Sequence, residues 1–334
     1  MPHVTGSPAP DNPLVPDAGL TGRFAASLQA LWPDVLSNPD TRLGLAVSGG
    51  PDSCALLLLG AAALPGRVEA ATVDHGLRAE SAVEAANVAA LCARLDVPHS
   101  TLAVTVAPGN IQSGAREARY RALGIWAIER GLDALATAHH AEDQAETLLM
   151  RLNRASGVAG LAGTRARGNV PETQIPLLRP LLNWRRETLA DTVRQAGVDA
   201  ASDPGNVDDT FDRARIRKDI GGAGWLDIEA IARSASHLAD ADAALDWAAQ
   251  REWDESVASA GQGMTYRPNA PRAIALRVIA RIVREMDSEE PRGGAVARLH
   301  DALVAGRPGS IGSLLARPGT EGWSFAKAPE RSGS

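Results

Sequence analysis

The feature that most limits how this chain can fold lies between residues 42 and 63. The run RLGLAV (Arg42 to Val47) is short and mostly apolar and suits a buried parallel strand, and CALLLLGAAA (Cys54 to Ala63) is apolar enough for a helix packed on a sheet. Between them Ser48, Gly49, Gly50, Pro51, Asp52 and Ser53 read as a tight turn. The glycines permit dihedrals and a close approach that a Cβ would obstruct, and the serines add hydroxyl donors. Amides at the start of the helix then converge on an anion. A kinase-type phosphate loop would carry a lysine for the outer phosphates, and none is present here. An acid beside a phosphate cradle makes electrostatic sense when a cation sits between them, so Asp52 is expected to ligate Mg²⁺. The alternative is a surface turn followed by a helix cap. Its place directly after a strand argues against that.

The strand-to-helix alternation continues along the chain. Leu20 to Leu36 has the pattern of an amphipathic helix. A second strand, Val68 to Val73, ends in Asp74-His75-Gly76-Leu77-Arg78 and is followed by a helix from about Ser81 to Leu95. A third strand fits Ser100 to Val106, and a helix fits Ser113 to Arg130. The fourth strand, Asp133 to Thr137, ends in Ala138-His139-His140, ahead of a helix over Ala141 to Asn153. This alternation implies an α/β fold, a doubly wound parallel sheet, with ligands beyond the carboxyl ends of the strands. SGGPDS, DHGLR and AHHAEDQ each follow a predicted strand, where three loops can meet over one nucleotide.

Beyond Gly157 repeated glycines give a loop-like stretch, and a helix follows over Arg185 to Ala196. Glycines at 221, 222 and 224 mark the expected domain boundary. Trp225 to Leu303 reads as almost wholly helical, and the last thirty residues, with turns and short strands, are left unassigned. The expected organisation is a disordered tail over 1–19, a catalytic domain over 20–219 and a smaller, mainly helical domain over 225–334.

A length of 334 residues with 45% hydrophobic content supports two domains with real cores. Cys54 and Cys92 are the only cysteines and suggest neither a disulfide framework nor a zinc site. The first twenty residues lack the basic start and apolar run of a signal peptide, which leads us to expect a cytoplasmic protein. No stretch reaches the roughly 18 apolar residues needed to span a bilayer, so no membrane partner is expected. The net charge of −6 does not advertise nucleic acid. Local clustering does: seven arginines (151, 154, 165, 167, 179, 185 and 186) face the single acid Glu172 across residues 151–186.

Asp143 and Glu146 lie three apart, on one helical face, and suit an ammonium or a metal ion; a solvated helix start with acids favoured by the dipole is the alternative. His139 and His140 sit at a strand end, where core or capping roles compete with contact to a ligand. Asp74 with Arg78 can hold ribose or purine groups, or form a simple salt bridge. Arg116 and Arg119 share a helix face, where a charge run is usually solvated but a joint phosphate contact is permitted, and Arg213, Arg215 and Arg217 with Lys218 form a second basic cluster suited to phosphate clamping.

SGGPDS, VDHGLR (73–78), NIQSGAREARYRAL (110–123), ATAHHAEDQAETLLMRL (136–152), LLRPLL (177–182) and DPGNVDDTFDRARIR (203–217) occur in that order. The series resembles the bacterial tRNA(Ile)-lysidine synthases within the PP-loop ATP-pyrophosphatases, over roughly Arg42 to Lys218. Departures are modest: Glu142 stands where the family usually has Asp, Gly205 where Ser is common and Ala214 where Asn is common. Longer members carry an additional carboxyl-terminal domain, which a chain of this length is not expected to contain in full.

The resemblance implies an enzyme that adenylates the wobble cytidine of the CAU-anticodon tRNA(Ile) with ATP, releasing pyrophosphate, and lets the ε-amine of free L-lysine displace AMP. It implies ATP contacts at Ser48, Gly49, Gly50, Pro51, Asp52, Ser53, Asp74, His75, Arg78 and His139. Mg²⁺ would sit at Asp52, lysine at Asp143 and Glu146, and the activated nucleotide against Arg116. Arg119, Arg179, Arg213, Arg215 and Arg217 would contact the nucleotide or the tRNA, and the helical domain would bind tRNA. A homodimer is a further expectation. A tRNA sulfurtransferase would need reactive or cluster-binding cysteines, which Cys54 and Cys92 do not resemble. A silent RNA-binding protein with a relict site would not be expected to keep SGGPDS and the Asp143/Glu146 pair intact.

Overall fold

A computed structural model describes residues 14–76, 79–105, 111–201, 212–287 and 291–328. By compactness the chain forms two units, residues 1–237 and 238–334. In the first, helix α1 (Ala18–Leu31) starts on Asp17, whose carboxylate accepts the amides of Gly19 at 2.8 Å and Leu20 at 3.3 Å. Leu14 is already buried, so the expected tail over 1–19 is corrected within its described part, and residues 1–13 lie outside the described residues. The helix ends at Leu31 rather than Leu36, because Pro33 starts a separate 3₁₀ turn, Pro33–Val35.

Strand β1 (Leu43–Ala46) leads into α2 (Pro51–Ala63). Proline at the first helical position starts α2 three residues earlier than its apolar run suggests. Its residues Ser53 to Gly60 are all buried, as befits a helix apolar on every side, covered by β1, α1 and the later helix α7. Then come β2 (Val68–Asp74), α3 (Ala79–Arg94), β3 (His99–Ala103), α4 (Ile111–Glu129), β4 (Ala134–Ala136) and α5 (Ala141–Asn153). The stretch after Gly157, read as loop, holds a short helix α6 (Val158–Leu161) and an antiparallel pair, β5 (Arg167–Asn169) with β6 (Pro176–Leu178). Helices α7 (Arg186–Gln195) and α8 (Asp212–Gly222) follow, and α9 spans Ile228–Ser256.

The sheet order is β3-β2-β1-β4-β6-β5, parallel except for β5. The chain walks outward from β1 through β2 to β3, then returns to the far side of β1 to lay down β4. That reversal opens a crevice at the carboxyl ends of β1 and β4, the place where open α/β sheets bind ligands. One apolar layer, with Phe24, Leu28, Leu57 and Trp184, covers one face, and Tyr120, Leu123 and Trp126 of α4 cover the other. Gly44 in β1 is required by that second layer: a Cβ there would lie 2.8 Å from Leu132 Cδ1 and 2.9 Å from Trp126 Cζ3. The first unit extends past the glycines at 221, 222 and 224 because Ile228 and Ala232 of α9 pack on Ala141 and Ala145 of α5.

The reading of Trp225 to Leu303 as almost wholly helical is corrected in the second unit. A hairpin, β7 (Val257–Ala260) and β8 (Gly263–Tyr266), separates α9 from α10 (Arg272–Asp287). After α11 (Gly293–Val304) come β9 (Gly309–Ile311), β10 (Leu314–Gly319) and β11 (Gly322–Lys327), giving an antiparallel sheet ordered β7-β8-β11-β10-β9. Ile279, Ile282, Leu299 and Phe325 share its core, and Glu252 accepts from the Tyr266 hydroxyl at 3.1 Å and the Asn269 amide at 2.8 Å. Among the described residues no helix is long and apolar enough to cross a membrane.

Leu57 is fully buried at the centre of α2. Leu57→Ala is expected to cost about 3 kcal/mol through lost burial and a residual cavity, read as a lower urea midpoint for the first unit.

Candidate active site

The turn after β1 is held from within. Gly49 has φ +93°, a conformation that favours glycine, and its carbonyl accepts the Ala201 amide at 2.9 Å and the Cys54 thiol at 3.4 Å. Ser53 Oγ accepts the Ser48 amide at 3.1 Å and donates to the Gly50 carbonyl at 2.9 Å. Gly50 caps α2 without a side chain, so the first-turn amides of Asp52 and Ser53 have no intrahelical acceptor and are suited to an anion. Pro51 has no N–H and contributes only its fixed φ.

A cavity of about 470 Å³ opens beyond this turn. Ser48 and Gly50 line it from the turn after β1, Asp52 and Ser53 from the start of α2, His75 from the end of β2, His139 and Asp143 from the β4–α5 junction, and Arg116 and Arg119 from α4. The three loops picked out in the sequence therefore converge. Asp74 serves the backbone instead: its Oδ1 accepts the Gly76 amide at 2.9 Å and turns the chain at φ +60°. Arg78 and the side chain of Arg213 lie outside the described residues.

The two histidines at the end of β4 are driven apart. Burial lowers the His139 pKa to about 3; Asp143 opposes this, and the positive field of Arg179, Arg116 and Arg119 adds to it. Its Nδ1 lies 2.9 Å from Thr137 Oγ1. His139 is therefore a neutral group in the cavity wall. His140 stands at the start of α5 as its N-cap, its amide donating to Asp143 Oδ2 at 3.1 Å. Its Nδ1 is 3.0 Å from Glu142 Oε2, and its Nε2 is 3.4 Å from Asp52 Oδ2 and 3.6 Å from Asp143 Oδ2. Burial opposes its charge, but hydrogen bonds to Asp52 and Glu142 and the field of Asp143 outweigh it and push the pKa up to about 10.

Arg186 approaches Asp52 Oδ2 at 3.9 Å, while Asp52 Oδ1 is buried with no hydrogen-bond partner. An orphaned carboxylate oxygen beside a phosphate cradle fits a divalent cation. Glu142 accepts from Arg185 Nε at 2.9 Å and from the Arg186 amide at 3.0 Å. Burial works against its ionisation, and bonds from His140, Arg185 and the Arg186 amide hold its pKa at about 2.

Glu146 does not line the cavity. It is 1% exposed, with Arg217 Nε donating at 2.7 Å, so α5 and α8 are joined there. Arg215 is exposed on α8, and Arg179 is buried, donating to the Arg165 carbonyl at 2.6 Å. Burial denies Arg179 a contact with the backbone of a macromolecule and leaves it a part in the field around His139. Sequence reasoning missed the hub at His140, the approach of Arg186 to Asp52 and the bracing by Glu142. The adjacent histidines and the paired arginines 185 and 186 were the available signals. It also passed over Gln144, which bonds both the amide and carbonyl of Thr164 and anchors the glycine-rich loop.

A doubly wound sheet with a lysine-free phosphate turn at its switch point is the architecture of the PP-loop nucleotide enzymes, and the PP-loop domain family model matches residues 20–223. The tRNA(Ile)-lysidine synthase of Novosphingobium aromaticivorans is 45% identical over 317 residues, covering 94% of this chain and 95% of that protein. That of Zymomonas mobilis is 38% identical, covering 89% and 92%. The chain belongs to the tRNA(Ile)-lysidine synthase family. The length that sets it apart from longer members is thus shared by these relatives. The U34-tRNA thiolase NcsA from Methanococcus maripaludis, solved with its 4Fe-4S cluster, is 16% identical with a TM-score of 0.54, covering 66% of this chain and 78% of that one, a likeness of fold.

Glu142 ionises more readily in the folded protein than its ordinary value of 4.5, so its contribution to stability is full above pH 4.5 and is lost as pH falls through about 2. Glu142→Gln is expected to destabilise the protein at neutral pH. The deficit should shrink as the pH is lowered from 4.5, as read by thermal melts of both proteins across that range.

Proposed function

We propose that the cavity beside the SGGPDS turn carries both half-reactions of lysidine synthesis on the CAU-anticodon tRNA(Ile). In the first, O2 of the wobble cytidine attacks the α-phosphate of ATP and pyrophosphate leaves. In the second, the ε-amine of free L-lysine attacks C2, AMP leaves with the O2 oxygen, and the amine gives up a proton. The observation that carries this reading is the convergence of an anion cradle, a cationic wall and an acid in one cavity: the α2 amides with Ser48 and Ser53, Arg116 with Arg119, and Asp143.

In this reading the amides of Asp52 and Ser53 hold the polyphosphate, and each donor aimed at developing charge contributes about 3 kcal/mol. Asp52, through its unpartnered Oδ1, holds Mg²⁺, which when bound neutralises charge on the leaving pyrophosphate. Arg116 and Arg119 flank the Tyr120 ring, their guanidinium carbons 5.1 and 5.4 Å from its centre, and steady the α-phosphate. His75 and the neutral His139 offer ring nitrogens to the nucleotide. Asp143 receives the lysine ammonium. Glu146 acts with it by fixing Arg217 rather than by reaching the cavity itself. Arg215, exposed on α8, meets the tRNA, as does the second unit, residues 238–334. Juxtaposing three reactants is itself worth about 7 kcal/mol at an effective molarity near 10⁵ M. A tRNA substrate puts the enzyme in the cytoplasm, and a homodimer completes the assembly, to be read by sedimentation of the purified protein.

The test is retention of radiolabelled lysine on the tRNA(Ile) transcript with ATP and Mg²⁺. Incorporation that vanishes when the wobble cytidine becomes uridine is expected; ATP consumed on tRNA without lysine retained would move the activity to another tRNA adenylase. Asp52→Ala should slow nucleotide activation by about 100-fold or more, with tRNA affinity in a filter assay unchanged. Lost tRNA affinity would show that Asp52 has been misplaced.

A further inference from the structure

The mechanism above uses Asp52 and Asp143 in different steps, yet both carboxylates meet the same imidazole. His140 is 4% exposed and sits at the amino end of α5, between α2 and the segment leading into α7. The charged groups against its ring come from two of those elements: Asp52 from α2, Glu142 and Asp143 from α5. Arg185 and the Arg186 amide fix Glu142, and Arg186 stands at Asp52. Both ring nitrogens therefore face carboxylate oxygens. A neutral ring would set a lone pair against one of them, so the geometry calls for a donor on each side.

The consequence for Asp52 is a division of labour between its oxygens. Oδ2 is held by His140 at 3.4 Å, with Arg186 more distant at 3.9 Å, while Oδ1 is left without a partner. Without the imidazole, Oδ2 would keep only a contact beyond hydrogen-bond length, and the carboxylate would be free to rotate. Asp143 is tied to His140 twice, through the backbone amide at 3.1 Å and through the ring at 3.6 Å. A change at the ring removes only the second tie and leaves the amide in place.

We propose that His140 is a positioning residue shared by the two half-reactions: its ring holds Asp52 for nucleotide activation and Asp143 for lysine capture in one fixed arrangement. Glu142, braced by Arg185 and the Arg186 amide, keeps the ring in the plane that serves both. This rests on the assignment of Asp52 to the departing pyrophosphate and of Asp143 to the lysine ammonium. Each of those acids governs one step, whereas His140 governs two, and that double signature is what separates positioning from a local contact.

The experiment uses the full chain with His140→Ala, His140→Gln and Asp143→Ala. Nucleotide activation is read as tRNA-dependent ATP–pyrophosphate exchange without lysine, and lysine capture as the lysine KM of the complete reaction. His140→Ala is expected to slow exchange about tenfold or more and to raise the lysine KM about tenfold, with tRNA affinity unchanged. His140→Gln, which returns one donor, should recover part of at least one readout. Asp143→Ala should raise the lysine KM by a larger factor than it slows exchange. Exchange and KM both unmoved in His140→Ala, or only one of them moved, would overturn the proposal. Should His140→Ala not fold, partial losses in both readouts for His140→Gln support it and losses in neither overturn it. An unchanged lysine KM in Asp143→Ala would overturn the assignment of Asp143 and the lysine half of the proposal, leaving the exchange result to decide the other half.

Discussion

Helix α2 has no solvent face. Its leucines 56 to 59 are fully buried, with β1, α1 and α7 packed around them, and the helix cannot tilt or slide without opening a void in a close-packed layer. The position of its first turn is therefore fixed by burial rather than by anything in the turn itself. The Gly49 dihedral, the Ser53 hydrogen bonds and the amides of Asp52 and Ser53 inherit that fixity. A phosphate cradle made of backbone groups needs such support, because it has no long side chain with which to follow a ligand that moves.

Around this cradle the charges are arranged in opposition. Two neighbouring histidines on one strand end have pKa values near 3 and near 10, because burial, reinforced by nearby arginines, disfavours charge on His139, whereas carboxylates outweigh burial at His140. The cavity wall is cationic through Arg116 and Arg119, with His139 neutral beside them. The floor between α2 and α5 holds three carboxylates together around one cation. Such a buried network is costly when incomplete and rigid when complete.

The fold of the first unit was legible because its signals were local: apolar runs of strand length, glycine turns and amphipathic helices in strict alternation. Polar loops following predicted strands marked the ends that meet. What could not be read were contacts made across the sheet order, since nothing near Arg186 in sequence announces Asp52, and nothing near Glu146 announces Arg217. The Glu146 side chain looked like a ligand-facing acid by its helical spacing, but that spacing cannot tell which neighbour covers the face. The hairpin of β7 and β8 escaped because Val257–Ala260 and Gly263–Tyr266 are too short to break a helical pattern on either side. The antiparallel sheet to which it belongs is assembled from pieces far apart in the chain, which local periodicity does not report.

The two cysteines carry a different consequence. Cys54 lies one residue beyond the cradle, and Cys92 packs in the same apolar layer. Burial raises the Cys54 thiol to about 11, with Asp52 adding, and the Cys92 thiol to about 12, with Cys54 adding. At neutral pH neither supplies a thiolate, the form that oxidants and alkylating agents attack. Among the described residues the cavity wall carries no cysteine, and the two thiols stand protonated in the layer behind it.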